Sequence, residues 1–185
     1  MNRRHTSGIL LVLLAIGFFV ALTNKQWIKD KYIVSTTQLQ PASTEMLDDI
    51  ALTDQATFLY KASQPEIQSS SAFTSSCKNV AHEQSIVLGC YTGQRVYIYD
   101  VKDERLEGVK QVTTAHELLH AAYERMSTTE KQNINAALLS TANSIEDERF
   151  KETLAQYRRT EPDQIENELH SILGTEIAVL PQKLE

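Results

Sequence analysis

Five consecutive residues, His116-Glu117-Leu118-Leu119-His120, carry the clearest chemistry in this chain. On a helix the first and fifth lie one turn apart on one face, so both imidazoles can reach one metal ion. Glu117 is rotated about 100° from His116, as helical pitch dictates. That angle sets its carboxylate beside a metal-bound water rather than on the metal. Two ligands and a general base are the apparatus of metal-assisted hydrolysis, and zinc is the ion this donor set takes. The competing reading is an amphipathic helix that happens to carry two surface His. Composition alone gives such a pentad a chance of about 1%, so coincidence is the weaker account.

A pentad works only if a scaffold holds it. Residues 110–125 contain neither Gly nor Pro and continue helically through Ala121, Ala122 and Tyr123. Leu118 and Ala122 fall away from the two His, so one face enters a core while the other borders a cleft. Upstream, residues 94–101 are rich in β-branched and aromatic side chains and are expected as a strand. Residues 85–91 form a second strand or hairpin arm, with Tyr91-Thr92-Gly93-Gln94 as the turn. The strand carrying Tyr97 is expected to offer its edge to an extended peptide. Sheet packing is the stronger account of Tyr97 and Tyr99.

Before the sheet, Met46, Leu47 and Ile50, then Phe58 and Leu59, mark two helical pieces separated by a Thr53-Asp54 cap. Ser69-Ser70-Ser71 reads as a loop. After the pentad, Ser127-Thr128-Thr129-Glu130 has capping-box spacing. Residues 147–159 continue helically with Phe150, Leu154 and Tyr157 on one stripe. Pro162 then opens a last helix carrying Ile165, Leu169, Ile172 and Leu173. Helices, a small sheet and more helices make an α+β domain.

Catalytic zinc takes three protein ligands and keeps a fourth position for water. The pentad supplies two. The H-E-x-x-H-x-x-G-x-x-H extension fails, because position 123 is Tyr and 126 is Met. The remaining donors, Glu166, Glu168 and His170, flank the apolar stripe of the last helix.

At these residues the chain resembles the gluzincin metallopeptidases, in which a Glu on a later helix completes an H-E-x-x-H site. Asn167-Glu168, followed by Gly174-Thr175, is similar to that family's second stretch with the registration displaced by one residue. The resemblance spans roughly residues 95–174. It implies a zincin-like domain: a small N-terminal β-sheet, an active-site helix and a C-terminal helical part. It also implies Zn2+ held by His116, His120 and Glu168, with Glu117 as general base in peptide-bond hydrolysis. Glu166 and His170 stay open as the third ligand, and the membrane-bound branch's Glu-x-x-Ala-Asp pattern selects Glu166. Tyr123, Tyr157 and His170 are candidates for a further oxyanion donor. Two other functional readings compete: a zinc-binding zincin-like module that does not cleave, and a membrane-anchored adhesion module.

Composition bounds the rest. A net charge of −6 argues against nucleic acid as a partner. Arg3 and Arg4 precede an uncharged run over 8–23, expected as an uncleaved signal anchor or transmembrane segment (1–23), with a removed signal peptide as the alternative. Residues 24–45 are polar and mixed and read as a stalk. Residues 46–185 make one domain's worth of core. Both readings of the N-terminus place that domain outside the cytoplasm, at a cell membrane, acting on a peptide or protein substrate. Cys77 and Cys90 fit this compartment as a disulfide, and closing so short a loop stabilises by about 3 kcal/mol.

Overall fold

A computed structural model describes residues 3–78 and 87–177. The chain divides into two compact units, Met1–Gln38 and Leu39–Glu185.

The first unit holds α1 (Arg3–Thr23) and α2 (Lys25–Thr36). Its corner is closed by side chains. The Thr23 hydroxyl lies 3.1 Å from the carbonyls of Phe19 and Val20. The Asn24 side-chain amide donates to Val20 O at 2.8 Å and its backbone N–H does so at 3.1 Å. Carbonyls that the helix end orphans are thereby satisfied. Among the described residues no single helix is long and apolar enough to cross a membrane. Ile9–Thr23 and Lys25–Thr36 meet that test together, bent by 75°. Much of the expected stalk is thus helix.

The second unit is α+β, as expected. It begins with α3 (Pro41–Asp49) and α4 (Asp54–Ser63). Thr53 caps α4 by accepting the Ala56 N–H at 3.2 Å. Then come β1 (Glu66–Gln68), α5 (Ser70–Cys77), β2 (Gly89–Tyr91) and β3 (Val96–Tyr99). The long α6 (Val109–Arg125), α7 (Thr128–Ser144), α8 (Glu148–Thr160) and α9 (Ile165–Glu176) complete it. Both halves of the capping box at Ser127 and Glu130 are made, at 3.3 and 2.7 Å. Asp147 caps α8 through the Phe150 N–H at 2.8 Å.

The sheet order is β1-β3-β2, with β1 parallel and β2 antiparallel to β3. Three sequence expectations change here. Tyr97 lies on the central strand, paired on both sides, so it offers no edge; the edge strand nearest the pentad is β2. Ser69 is the N-cap of α5 rather than part of a loop, because Phe73 and Cys77 bury beneath it and turn the serine run into a helix start. Strand β1 was not expected at all, since three residues with one Ile give no period to read. The expected strand at 85–91 begins at Gly89; residues 85 and 86 lie outside the described residues.

Cys77 and Cys90 form the expected disulfide, Cα to Cα 6.0 Å. It pins the end of α5 to β2, beside Phe73 and the half-buried Tyr97 and Tyr99. Two further clusters make the core. One packs Met46 and Tyr60 against Leu118. The other joins Leu138, Phe150, Leu154 and Tyr157 to Ile165, Leu169, Ile172 and Leu173 of α9.

Candidate metal centre

Helix α6 supplies the floor of the site. Thr114, Leu118 and Ala121, spaced four and three residues apart, bury as one stripe. The Thr114 hydroxyl is satisfied by donating to Lys110 O at 2.7 Å. Burying that stripe turns His116 and His120 toward α9, with their rings 4.8 Å apart.

Helix α9 supplies the opposite wall. Its apolar positions enter the α7–α8 cluster, so the polar residues between them face α6. The two helices approach closely because position 174 is Gly: a Cβ there would lie 2.6 Å from Leu119 Cδ1.

The ligand atoms of His116, His120 and Glu168 lie within 4.8 Å of one another, and His120 Nε2 is 3.8 Å from Glu168 Oε1. Donors 2.0–2.2 Å from a tetrahedral ion sit roughly 3.4 Å apart, so small side-chain rotations close this set onto a cation. Of the three sequence candidates, Glu168 is the one whose carboxylate lies in this group. Glu166 lies elsewhere on the helix, near Tyr123, whose phenol is pushed up by burial first and then by that carboxylate. His170 is tied by its Nδ1 to Leu119 O at 3.1 Å, and burial lowers its pKa.

Hydrogen bonds from α9 fix both ligand imidazoles. Asn167 turns its amide nitrogen toward Gln164 Oε1, so its Oδ1 accepts from His120 Nδ1–H at 3.1 Å. The Thr175 hydroxyl donates to Ser171 O at 2.7 Å, so toward His116 it acts as acceptor, 3.5 Å from Nδ1. Each ring therefore carries its proton on Nδ1 and turns Nε2 inward as an acceptor, the arrangement a metal-binding histidine needs. Burial, then the neighbouring His120, pushes the His116 pKa down to about 3, so that ring is neutral at physiological pH. The donor set fits a divalent cation such as zinc: two imidazole nitrogens and a buried carboxylate oxygen converge.

Glu117 stands outside this trio and is buried, 8% exposed. It packs against Gly89 of β2, where an added Cβ would come within 2.7 Å of Glu117 Cγ and 2.8 Å of its Oε1. A cleft of about 310 Å³ opens here, walled by β2, the pentad, and Glu161, Gln164, Asn167 and Glu168. Tyr91 holds β2 to the end of α6: its hydroxyl bonds Glu124 and accepts from Arg125 Nη1 at 3.1 Å. Of the candidate oxyanion donors, the Tyr123 hydroxyl is bound to Asn135 Oδ1 at 3.0 Å, and His170 faces Leu119 O. Tyr157 borders a second opening, about 220 Å³, shared with Glu117 and Thr175.

Asn167, Thr175, Gly89 and Gly174 were given no role by sequence reasoning. A signal existed for the first two. Asn167, Ser171 and Thr175 recur every fourth residue, a small polar stripe on an otherwise apolar helix.

Compared with known protein families, curated proteins and solved structures, the chain matches none of them.

Proposed function

We propose that this protein is a gluzincin-type zinc metallopeptidase with a zincin-like fold, anchored in a cell membrane by its N-terminal segment and acting outside the cytoplasm. One observation carries the reading. Two imidazoles and a carboxylate turn ligand atoms toward a common point, beside a buried carboxylate, Glu117, that is not part of the trio. His116, His120 and Glu168 would hold the ion. When bound, zinc makes water more acidic and draws charge from a carbonyl oxygen.

Glu117 takes the proton of the attacking water and passes it to the leaving amine. Its burial beside β2 keeps that carboxylate in one place. Asn167 and Thr175 keep the two imidazoles in their working tautomer. Strand β2 is an edge strand, so its outer side suits pairing with an extended peptide, and Gly89 lets that backbone lie close to the base. The buried disulfide on β2 is consistent with an oxidising compartment.

The test uses full-length protein in lipid nanodiscs. Elemental analysis should give about one zinc per chain, and a peptide library should be cleaved. E117Q should keep the zinc and lose the cleavage. Cleavage that survives E117Q refutes the general-base role; a zinc-loaded wild type that cleaves nothing points to a non-proteolytic binding module.

A further inference from the structure

Helix α2 has two unlike faces. Gln26, Asp30, Ile33 and Val34 are covered, one after another along one side. The other side exposes large apolar residues: Trp27 is 59% exposed, Ile28 45% and Tyr32 67%. Lys25, Lys29 and Lys31 stand beside them, also exposed, and the Lys31 ammonium lies 5.6 Å from the centre of the Trp27 ring. Aromatic rings with lysines around them are what the boundary between headgroups and acyl chains accepts, since the rings bury while the ammonium groups reach outward.

We propose that α2 lies along the surface of an anionic lipid bilayer, with Trp27, Ile28 and Tyr32 set into the headgroup boundary and its lysines among the anionic headgroups. Three observations choose this occupant. Every large apolar side chain between positions 9 and 22 of α1 is more than half exposed, so the adjoining helix is itself apolar all round. The bend of 75° turns α2 away from that direction, and the hydrogen bonds of Thr23 and Asn24 make the corner a built feature rather than a fray. Charge is also segregated. Positions 1–38 hold five Lys and Arg against one Asp, whereas the remainder holds thirteen against twenty-three acids. The basic end suits anionic headgroups, each lysine near such a surface favouring contact about fivefold. This inference rests on α1 being in the membrane; it does not depend on the peptidase chemistry.

Trp27 is the chain's only tryptophan, so its fluorescence reports α2 directly. Full-length protein is placed in nanodiscs of anionic or zwitterionic lipid, with bromine near the headgroup end or the methyl end of the acyl chains. On anionic discs Trp27 emission should be blue-shifted, protected from acrylamide, and quenched more by the shallow bromine than the deep one. On zwitterionic discs the protection should weaken. K25Q/K29Q leaves Lys31 over the Trp27 ring and should lower the ratio of docked to lifted helix by about fivefold per lysine removed. Stronger quenching by deep bromine overturns the proposal and makes α2 a continuation of the span. Emission indifferent to bromine in either position also overturns it, assigning this face to water or protein. Equal protection on both lipids removes the anionic headgroups from the assignment.

Discussion

The substitution Gly89→Ala probes the placement of Glu117 without touching a metal ligand. A Cβ at this position meets Thr113 Cγ2 at 2.6 Å, Glu117 Cγ at 2.7 Å and Glu117 Oε1 at 2.8 Å, all closer than real side chains approach. Strand β2 cannot easily retreat. Gly89 pairs with Ile98, and the next residue, Cys90, is bonded to Cys77. Nor can α6, which is packed through Thr114, Leu118 and Ala121. The compliant partner is the Glu117 side chain, which must change rotamer. Overpacking of this kind costs about 1–3 kcal/mol, which lowers the Tm by roughly 2–12 °C in a domain of this size. Displacing a catalytic group by about 1 Å costs on the order of 100-fold in kcat, and the zinc content should not change. The assays are thermal melting, elemental analysis and cleavage of a peptide found in the library screen. Wild-type kcat in a folded, zinc-loaded G89A refutes the argument, and so does loss of the metal.

Two more outcomes follow from the site. Asn167→Ala removes the acceptor that holds His120 and should weaken zinc binding by about 10- to 100-fold, read by competition with a chelating dye; an unchanged Kd refutes its orienting role. The pH dependence of the metal-free protein should carry the mark of His116, whose folded pKa of about 3 lies below the ordinary imidazole value of 6.5. The unfolded chain then takes up the proton first, so this stability is whole above about pH 6.5 and is lost as pH falls toward 3, a loss on the order of 5 kcal/mol. His170, also depressed, adds in the same sense. His116→Asn should flatten most of that slope in melts taken with a chelator present, and an unaltered slope contradicts the buried neutral ring.

What the sequence made legible followed signal strength. The pentad helix, the Thr53 and Ser127 starts and the disulfide rest on local rules, and the structure contains each. The choice among Glu166, Glu168 and His170 could not be made by helical geometry alone, because all three flank one apolar stripe. It depends on how α9 rotates against α6, which Leu169, Ile172 and Leu173 decide by burying elsewhere. Strand β1 was invisible because three residues carry no pattern. The Tyr97 strand reads as an edge in the sequence because pairing partners are not written in a strand's own residues; β1 supplies the second one. Gly89 and Gly174 matter through what they lack, and no composition rule marks a residue whose neighbour arrives from far along the chain.

The two leucines inside the pentad point to different places. Leu118 joins Met46 and Tyr60, while Leu119 lies against the bare backbone of Gly174. Chemistry tolerates any residue at those two positions, but volume does not: a smaller group leaves a void in one block, and a larger one pries α9 from α6. The wildcard positions of the motif are therefore as closely specified in this protein as its donors, by shape instead of by charge.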